Sequence, residues 1–183
     1  PTRRSSDLAA ASAARLTRPR RSQTPTPVRA AAGVGCSIGL AGDFVIAGKS
    51  GYFLQAFVNI GLVPDGGASW MLARLVGKAR ATEMMLLGER IHGPKAAGWG
   101  LIYKSVADDA VLNEAKALAA RLAAGPTMAL GLMRQGLADA LDGDYAAAMQ
   151  REAENQRTAG ASADAMEGAA SFLAKRQPVF QGL

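Results

Sequence analysis

Two glycines one residue apart, Gly33 and Gly35, follow a run of alanines and precede a short apolar stretch within residues 30–40. Glycine lets the backbone turn tightly and lets another group come close to the main chain. If a helix begins here, its first amide N–H groups have no partner within the helix and lie at its positive end. Such a helix end can bind a phosphate, or the oxyanion of an acyl-transfer or enolate reaction.

Three interpretations of this stretch compete. The spacing of Gly33, Gly35 and Gly39 is close to that of a dinucleotide-binding turn, which needs a full helix and an acidic residue about 20 residues later. Here Asp43 follows almost at once and a strand-like run begins at Phe44, so the helix has only about two turns. We therefore favour an oxyanion site over a nucleotide site, and a glycine-eased packing contact is the third possibility.

The composition limits the remaining function classes. A chain of 183 residues can bury one good core. Its single cysteine, Cys36, excludes an internal disulfide, fits a cytoplasmic location, and is expected to be a small buried apolar residue. The single histidine, His92, is expected at a surface turn, and one histidine makes a zinc site or a Cys/His enzyme improbable, so we predict no metal. No run reaches the roughly 18 apolar residues of a membrane span.

The formal net charge of +6 is concentrated at one end of the chain. Residues 1–29 hold seven arginines and one aspartate, whereas residues 30–183 carry 14 basic and 14 acidic side chains. A transit peptide or a nucleic-acid-binding arm would explain the first segment, but we favour a disordered or non-native basic segment because it has almost no apolar periodicity. The balanced charge of residues 30–183 predicts no nucleic-acid partner.

Residues 30–107 read as a mixed α/β region and residues 108–183 as a helical one. In the first region we predict two short strands at 44–47 and 52–54 around a turn, helices at 68–76 and 80–87 broken at Gly77, a short helix at 94–98 and a strand at 101–103. In the second we predict four helices: one capped by Asp108 or Asp109, one after Pro126, one from Asp144 to Arg157 and one from Ser162 to Arg176.

Residues 64–67, Pro-Asp-Gly-Gly, are a strong turn signal between an apolar run and the first long helix. Asp65 is a good candidate for the N-cap of that helix. It is also the only acidic residue within 33–41 and 57–67.

Six stretches, in this order, resemble the enoyl-CoA hydratase/isomerase (crotonase) superfamily over residues 30–183. They are Ala-Ala-Gly-Val-Gly-Cys at 31–36, Ala-Gly-Asp at 41–43, Gly-Leu-Val-Pro-Asp-Gly-Gly at 61–67, Leu-Gly-Glu-Arg-Ile at 87–91, Ala-Ala-Gly-Trp-Gly-Leu at 96–101, and a closing stretch from Asp164 to Pro178. The resemblance implies an α/β fold, a spiral of ββα turns followed by a helical C-terminal region that mediates trimer contacts. Family members carry earlier strands that supply the first oxyanion N–H and contact the CoA adenine. Residues 1–29 show nothing comparable, so we expect the sequence to be the C-terminal part of a member.

The resemblance also implies catalytic roles. Family members hold the thioester oxygen with two backbone N–H groups as the thioester becomes an enolate. The resemblance assigns one of these N–H groups to Val34, with Gly35 in the same catalytic turn. Asp65 stands where several isomerase members carry an acid. Ser37 and Phe57 stand where hydratases place their two catalytic glutamates. Water addition needs two carboxylates, whereas one suffices to move a proton between two carbons.

Further positions are candidates for contact with the CoA thioester: Gly33, Phe57, Trp70, Lys175 and Arg176. Phe57 and Trp70, with Phe53, could line an acyl pocket or belong to an aromatic core. Lys175 and Arg176 resemble positions near the CoA phosphates of a neighbouring subunit, and a solvated helix end is the equal alternative.

The sequence as a whole therefore predicts an acyl-CoA enzyme of the crotonase type that shifts a double bond, an enoyl-CoA isomerase. A hydratase with atypical catalytic residues and a catalytically silent subunit of the same fold are the alternatives. We expect an acyl-CoA substrate, no cofactor besides the coenzyme A that is part of that substrate, a homotrimer or dimer of trimers, and neither a nucleic-acid nor a membrane partner.

Overall fold

The computed structural model describes residues 26–183, which form two compact units, residues 26–117 and residues 118–183. Residues 26–29 belong to a strand, so the predicted disordered segment ends at least four residues too late. The reason is backbone pairing with a neighbouring strand, which needs no apolar periodicity. The rest of that prediction, for residues 1–25, lies outside the described residues.

The first unit is built on a four-stranded sheet with its longest strand in the centre. The strands are β1 (Thr26–Ala32), β2 (Val45–Leu54), β3 (Ile91–His92) and β4 (Lys104–Val106). Strand β2 pairs in parallel with β1 and β4 and antiparallel with β3. The parallel connection from β1 to β2 passes through a short helix, α1 (Val34–Leu40).

Strand β2 corrects the prediction of two strands separated by a turn at 48–51. Pairing of Gly48 with Val106 of β4 carries the strand through the turn-prone residues, of which Lys49 and Ser50 are exposed. The predicted turn leaves a trace in the pairing of β2 with β1, which has a register shift: Val28 pairs with Ala47, and the next pair is Ala30 with Tyr52. Tertiary pairing therefore overrides the local turn preference.

The helices of the first unit match the prediction more closely. They are α1, a 3₁₀ helix (Ala56–Ile60), α2 (Ala68–Leu87) and α3 (Gly93–Gly98). Helix α2 is kinked at Gly77, whose φ of 74° and ψ of 166° are not helical, so the predicted break is confirmed. The short helix α3 begins at Gly93, one residue before the predicted start, and has Pro94 in its first turn.

Helix α1, the sheet and α2 enclose the core of the first unit. Fully buried side chains there include Cys36, Ile46, Phe53, Leu72, Met84 and Ile91. The predicted strand at 101–103 is wrong, because Leu101 and Ile102 are both buried consecutively instead of alternating, and β4 begins only at Lys104.

The second unit is helical, as predicted. Helix α4 (Val111–Ala123) crosses the division between the units, and α5 (Thr127–Asp142), α6 (Tyr145–Gly160) and α7 (Ala163–Leu173) follow. Asp144 and Ser162 cap α6 and α7 with their side chains, confirming both predicted caps. Asp108 instead accepts hydrogen bonds from the backbone N–H and the hydroxyl of Ser50. No helix within residues 26–183 is both long and apolar enough to cross a membrane.

Candidate active site

The glycine-rich turn joins the end of β1 to α1. Gly33 has a φ of 54°, and its N–H donates to the Leu54 carbonyl of β2 at 2.9 Å, which fixes the turn against the sheet. No side chain caps α1, and the N–H groups of Val34 and Gly35 make no hydrogen bond to another described residue. The predicted helix N-terminus is confirmed, with two N–H groups available to an incoming acceptor.

The turn at 64–67 does not use Asp65 as a cap. Gly66 and Gly67, with φ of 62° and 81°, place two left-handed residues between Asp65 and the helix, so the N-cap of α2 is Gly67 and it has no side-chain cap. This corrects the predicted N-cap. The Asp65 backbone carbonyl accepts from Ala68 N at 3.2 Å, while its exposed carboxylate has no hydrogen bond or ion pair within the described part of the chain.

The structure brings these two turns into contact. The buried hydroxyl of Ser37 on α1 donates to the backbone carbonyl of Asp65 at 3.0 Å, across 28 residues of sequence. A Cβ built on Gly66 would lie 3.0 Å from Ser37 Cβ and 3.5 Å from Val34 Cγ2. Glycine at position 66 therefore lets the acidic turn seat directly on the first turn of α1.

Phe57 closes the other side of the glycine turn. It lies half-buried on the 3₁₀ helix, and its Cζ atom is 3.8 Å from where a Cβ on Gly33 would stand. Gly33, Val34, Phe57 and Asp65, four of the predicted site residues, thus belong to one surface of the first unit, with Ser37 joining its two turns.

The other predicted contacts lie elsewhere. Trp70 is 44% exposed on α2, and its ring carries the Arg74 guanidinium at 3.9 Å. Phe53 is fully buried in the core, so for this residue the core alternative is right. Lys175 and Arg176 belong to the second unit, where Arg176 is forked onto Glu167 at 2.7 and 2.8 Å. Contact of Trp70, Lys175 and Arg176 with CoA stays a prediction.

Cys36 lies behind the glycine turn and is fully buried, as predicted. Burial raises the pKa of its thiol to about 11, against smaller lowering effects of the Leu54 backbone and the Gln55 amide. The thiol is therefore protonated at neutral pH and is not a nucleophile. His92 is exposed, as predicted, but it belongs to strand β3 and not to a turn.

The sequence does not indicate the contacts of two residues near the site. The hydrogen bond of Ser37 cannot be recognised in the sequence because its acceptor is a backbone carbonyl 28 residues away. Gln55 is fully buried directly after β2, where its side-chain amide lies beside the Cys36 thiol. A polar residue directly after an apolar strand is the one signal that marks Gln55 in the sequence.

Comparisons with known proteins identify relatives of this chain. The profile of the enoyl-CoA hydratase/isomerase family matches residues 28–182. The chain is 43% identical over 152 residues to the 1,2-epoxyphenylacetyl-CoA isomerase of Escherichia coli K12, covering 83% of this chain and 58% of that one. It is 44% identical over 153 residues to a protein of Rhodobacter capsulatus named probable enoyl-CoA hydratase, covering 84% and 60%.

A similar solved structure is that of an enoyl-CoA hydratase from Polaromonas sp. JS666, with a TM-score of 0.88 and 31% identity. The alignment covers 97% of this chain and 68% of that one. The chain spans about three-fifths of the length of the two curated relatives described above.

Proposed function

The chain belongs to the enoyl-CoA hydratase/isomerase family, and from this membership and the geometry of the site we propose that the protein shifts the double bond of an enoyl-CoA through a thioester enolate. The predicted fold class, a crotonase-like α/β unit followed by helices, is confirmed by the solved relatives. Double-bond migration, as distinct from hydration, is the part that we propose.

The enolate is held by backbone N–H groups. Val34 is the first residue of α1 and offers an N–H that no described residue uses, at the positive end of the helix. A donor aimed at a developing oxyanion is worth about 2.7–4 kcal/mol of barrier in well-studied hydrolases. In this proposal Val34 N–H, with Gly35 beside it, receives the thioester oxygen as charge builds up there.

The proton is moved by Asp65, and the observation that carries the proposal is the state of this carboxylate. It is exposed, has no partner within residues 26–183, and is seated by Ser37 and Gly66 on the turn that bears Val34. It can take a proton from a carbon next to the thioester and return it to a carbon further along the chain.

The residues around Asp65 favour isomerisation over hydration. Adding water calls for one group to activate the water and another to deliver a proton. Ser37 and Phe57 stand where hydratases of the resembling family carry glutamates, and neither can act as a carboxylate. The Ser37 hydroxyl already donates to a carbonyl, and Phe57 is half-buried against the glycine turn.

The experiment is a product analysis with two substrates. Purified protein is incubated separately with a 3-enoyl-CoA and with a 2-enoyl-CoA, and the products are resolved by chromatography and mass spectrometry. We expect conversion of the 3-enoyl to the 2-enoyl thioester with no change in mass, and little addition of water to either. Fast addition of one water to the 2-enoyl thioester would replace this proposal with the hydratase alternative, which the Rhodobacter capsulatus relative's name supports. Inactivity in both assays of a protein that also carries the earlier strands of the family would favour the silent subunit.

Assembly into a homotrimer or a dimer of trimers is part of the proposal. The resemblance supports it, and so do the large apolar side chains that residues 118–183 expose. They include Met133, Leu137, Leu141, Tyr145, Met149, Phe172 and Leu173. Burying such surface against another copy of the chain is favourable.

A further inference from the structure

Ser37 is the one buried side chain of α1 whose polar atom reaches the turn that carries the acid. The residue is 1% exposed, and its hydroxyl donates to Asp65 O at 3.0 Å. The proton of this hydroxyl is directed at a carbonyl, away from the role of a nucleophile. The Ser37 hydroxyl therefore holds the turn and does not attack a substrate.

A second contact acts in the same direction. Gly66 follows Asp65 directly, and the space for its missing Cβ is filled by Ser37 Cβ and Val34 Cγ2 at 3.0 and 3.5 Å. The backbone that directly follows the Asp65 side chain thus rests on α1 at two points, the Asp65 carbonyl and Gly66. No other hydrogen bond from α1 to the turn at 64–67 exists among the described residues.

The distance between the Val34 N–H and the Asp65 carboxylate depends on this joint. Asp65 lies in an exposed turn whose two glycines, Gly66 and Gly67, allow wide backbone freedom. A displacement of about 1 Å between reacting groups can cost as much as about 100-fold in rate. A fixed seat for the turn therefore matters more for catalysis than for stability.

We propose that Ser37 is a positioning residue, which fixes the Asp65 turn on α1 and thereby sets the acid at its working distance from the Val34 N–H. The inference rests on the proposed function in assigning proton transfer to Asp65. Ser37 stands at the position where hydratases have a glutamate. In this proposal it contacts the backbone of Asp65 and does not touch the substrate.

Replacing Ser37 leaves the fold intact on the following grounds. Alanine fits the buried position, and the Asp65 carbonyl keeps its hydrogen bond from Ala68 N in the absence of the hydroxyl. The variant Ser37→Ala removes only the donor, and Ser37→Thr keeps it. Ser69→Ala, at an exposed position in the first turn of α2, is the matched control. Circular dichroism checks folding in each case.

The first readout is amide hydrogen exchange, which needs no activity. The Ala68 N–H donates to the Asp65 carbonyl, the same atom that accepts from Ser37. Losing one hydrogen bond of ordinary strength should speed exchange of this N–H by about fivefold in Ser37→Ala, with no change in Ser69→Ala or Ser37→Thr. Unchanged exchange at Ala68 in a folded Ser37→Ala variant would overturn the positioning role. So would equally fast exchange in Ser37→Thr.

The second readout is a double-mutant cycle in kcat. Ser37→Ala should lower kcat by roughly 10- to 100-fold with little change in KM, and should have no further effect in an Asp65→Asn background. An equal loss in both backgrounds would show that Ser37 does not act through Asp65, and would overturn the inference. Absence of isomerase activity in the unaltered protein would instead refute the proposed function, while the exchange readout still decides the role of Ser37.

Discussion

Two carboxylates on the surface of this protein, one in each unit, have opposite surroundings. Glu167 of α7 accepts two bonds from the Arg176 guanidinium at 2.7 and 2.8 Å, one from the Ser171 hydroxyl and one from the Val179 N–H, both at 2.9 Å. The Arg176 bond, followed by those of Val179 and Ser171, lowers the pKa of Glu167 to about 2. Asp65 has no such partner among the described residues.

The difference separates a structural carboxylate, Glu167, from the carboxylate to which we assign proton transfer, Asp65. A carboxyl group with a pKa of about 2 hardly accepts a proton near neutral pH, and four hydrogen bonds already reach the two oxygens of Glu167. Glu167 therefore fastens the segment after α7 to that helix. Asp65 is held only by its backbone, through Ser37, and its carboxylate oxygens remain open to a substrate.

The largest effect expected from this comparison is on catalysis by Asp65. Replacing it with asparagine removes the proton carrier that we propose, so kcat for isomerisation should fall by roughly 10²–10⁴ with little change in KM. Steady-state kinetics measures this, and Asp109→Asn, at an exposed aspartate of the same unit, should stay within about twofold of the unaltered protein. A loss in Asp109→Asn as large as that in Asp65→Asn would show that the effect is not local.

A fully bonded carboxylate should matter for stability instead. Asp164, which is 4% exposed, accepts from Gln181 N at 2.7 Å and Gly182 N at 2.8 Å. Because asparagine has one acceptor fewer and turns an N–H toward a donor, Asp164→Asn should lower the free energy of unfolding by about 1.5–3 kcal/mol. Asp144→Asn, which keeps an N-cap acceptor, should cost less than about 0.5 kcal/mol in the same denaturant titration. Equal losses of unfolding free energy in Asp164→Asn and Asp144→Asn would contradict the larger structural role that we assign to the buried Asp164.

The seat of the acidic turn can be tested separately from its charge. Gly66 and Gly67 both have positive φ, so alanine at either position costs about 1–2 kcal/mol of stability. Only the Cβ of Gly66→Ala meets Ser37, since nothing lies within 4 Å of that of Gly67→Ala. We expect kcat to fall about tenfold further in Gly66→Ala than in Gly67→Ala. Equal kcat values would mean that the close contact has no role in positioning.

The smallest effect is a pH dependence that belongs to the second unit. Since folding lowers the pKa of Glu167 from its ordinary 4.5 to about 2, its contribution to stability is present above pH 4.5 and is lost as the pH falls toward 2. The melting temperature of the unaltered protein should exceed that of Glu167→Gln near neutral pH, and the two should converge as the pH falls through this window. A difference that stays constant down to pH 2 would contradict the charge-based account.

Sequence alone predicts the parts of this protein that depend on local chemistry. The start of α1 after Gly33, the break at Gly77, and the caps Asp144 and Ser162 all follow from backbone and side-chain preferences of neighbouring residues. Each was predicted correctly because the residues that decide it are adjacent in the chain.

The errors arise where distant residues decide. Strand β2 passes through a turn-like sequence because β4, more than 50 residues away, pairs with Gly48. Asp65 is not a cap because Gly66 and Gly67 adopt left-handed conformations that let the turn seat on α1. The Ser37 tether has no signature within either of the segments that it joins.

Exchange of substrate hydrogen with solvent reports directly on the proton transfer assigned to Asp65. The protein is incubated with a 3-enoyl-CoA in D₂O, and deuterium in substrate and product is followed by mass spectrometry. The account predicts incorporation by the unaltered protein and by Asp109→Asn, and a loss of roughly 10²–10⁴ in the rate for Asp65→Asn. Incorporation by Asp65→Asn at the rate of the unaltered protein would show that another group moves the proton, and would contradict the account.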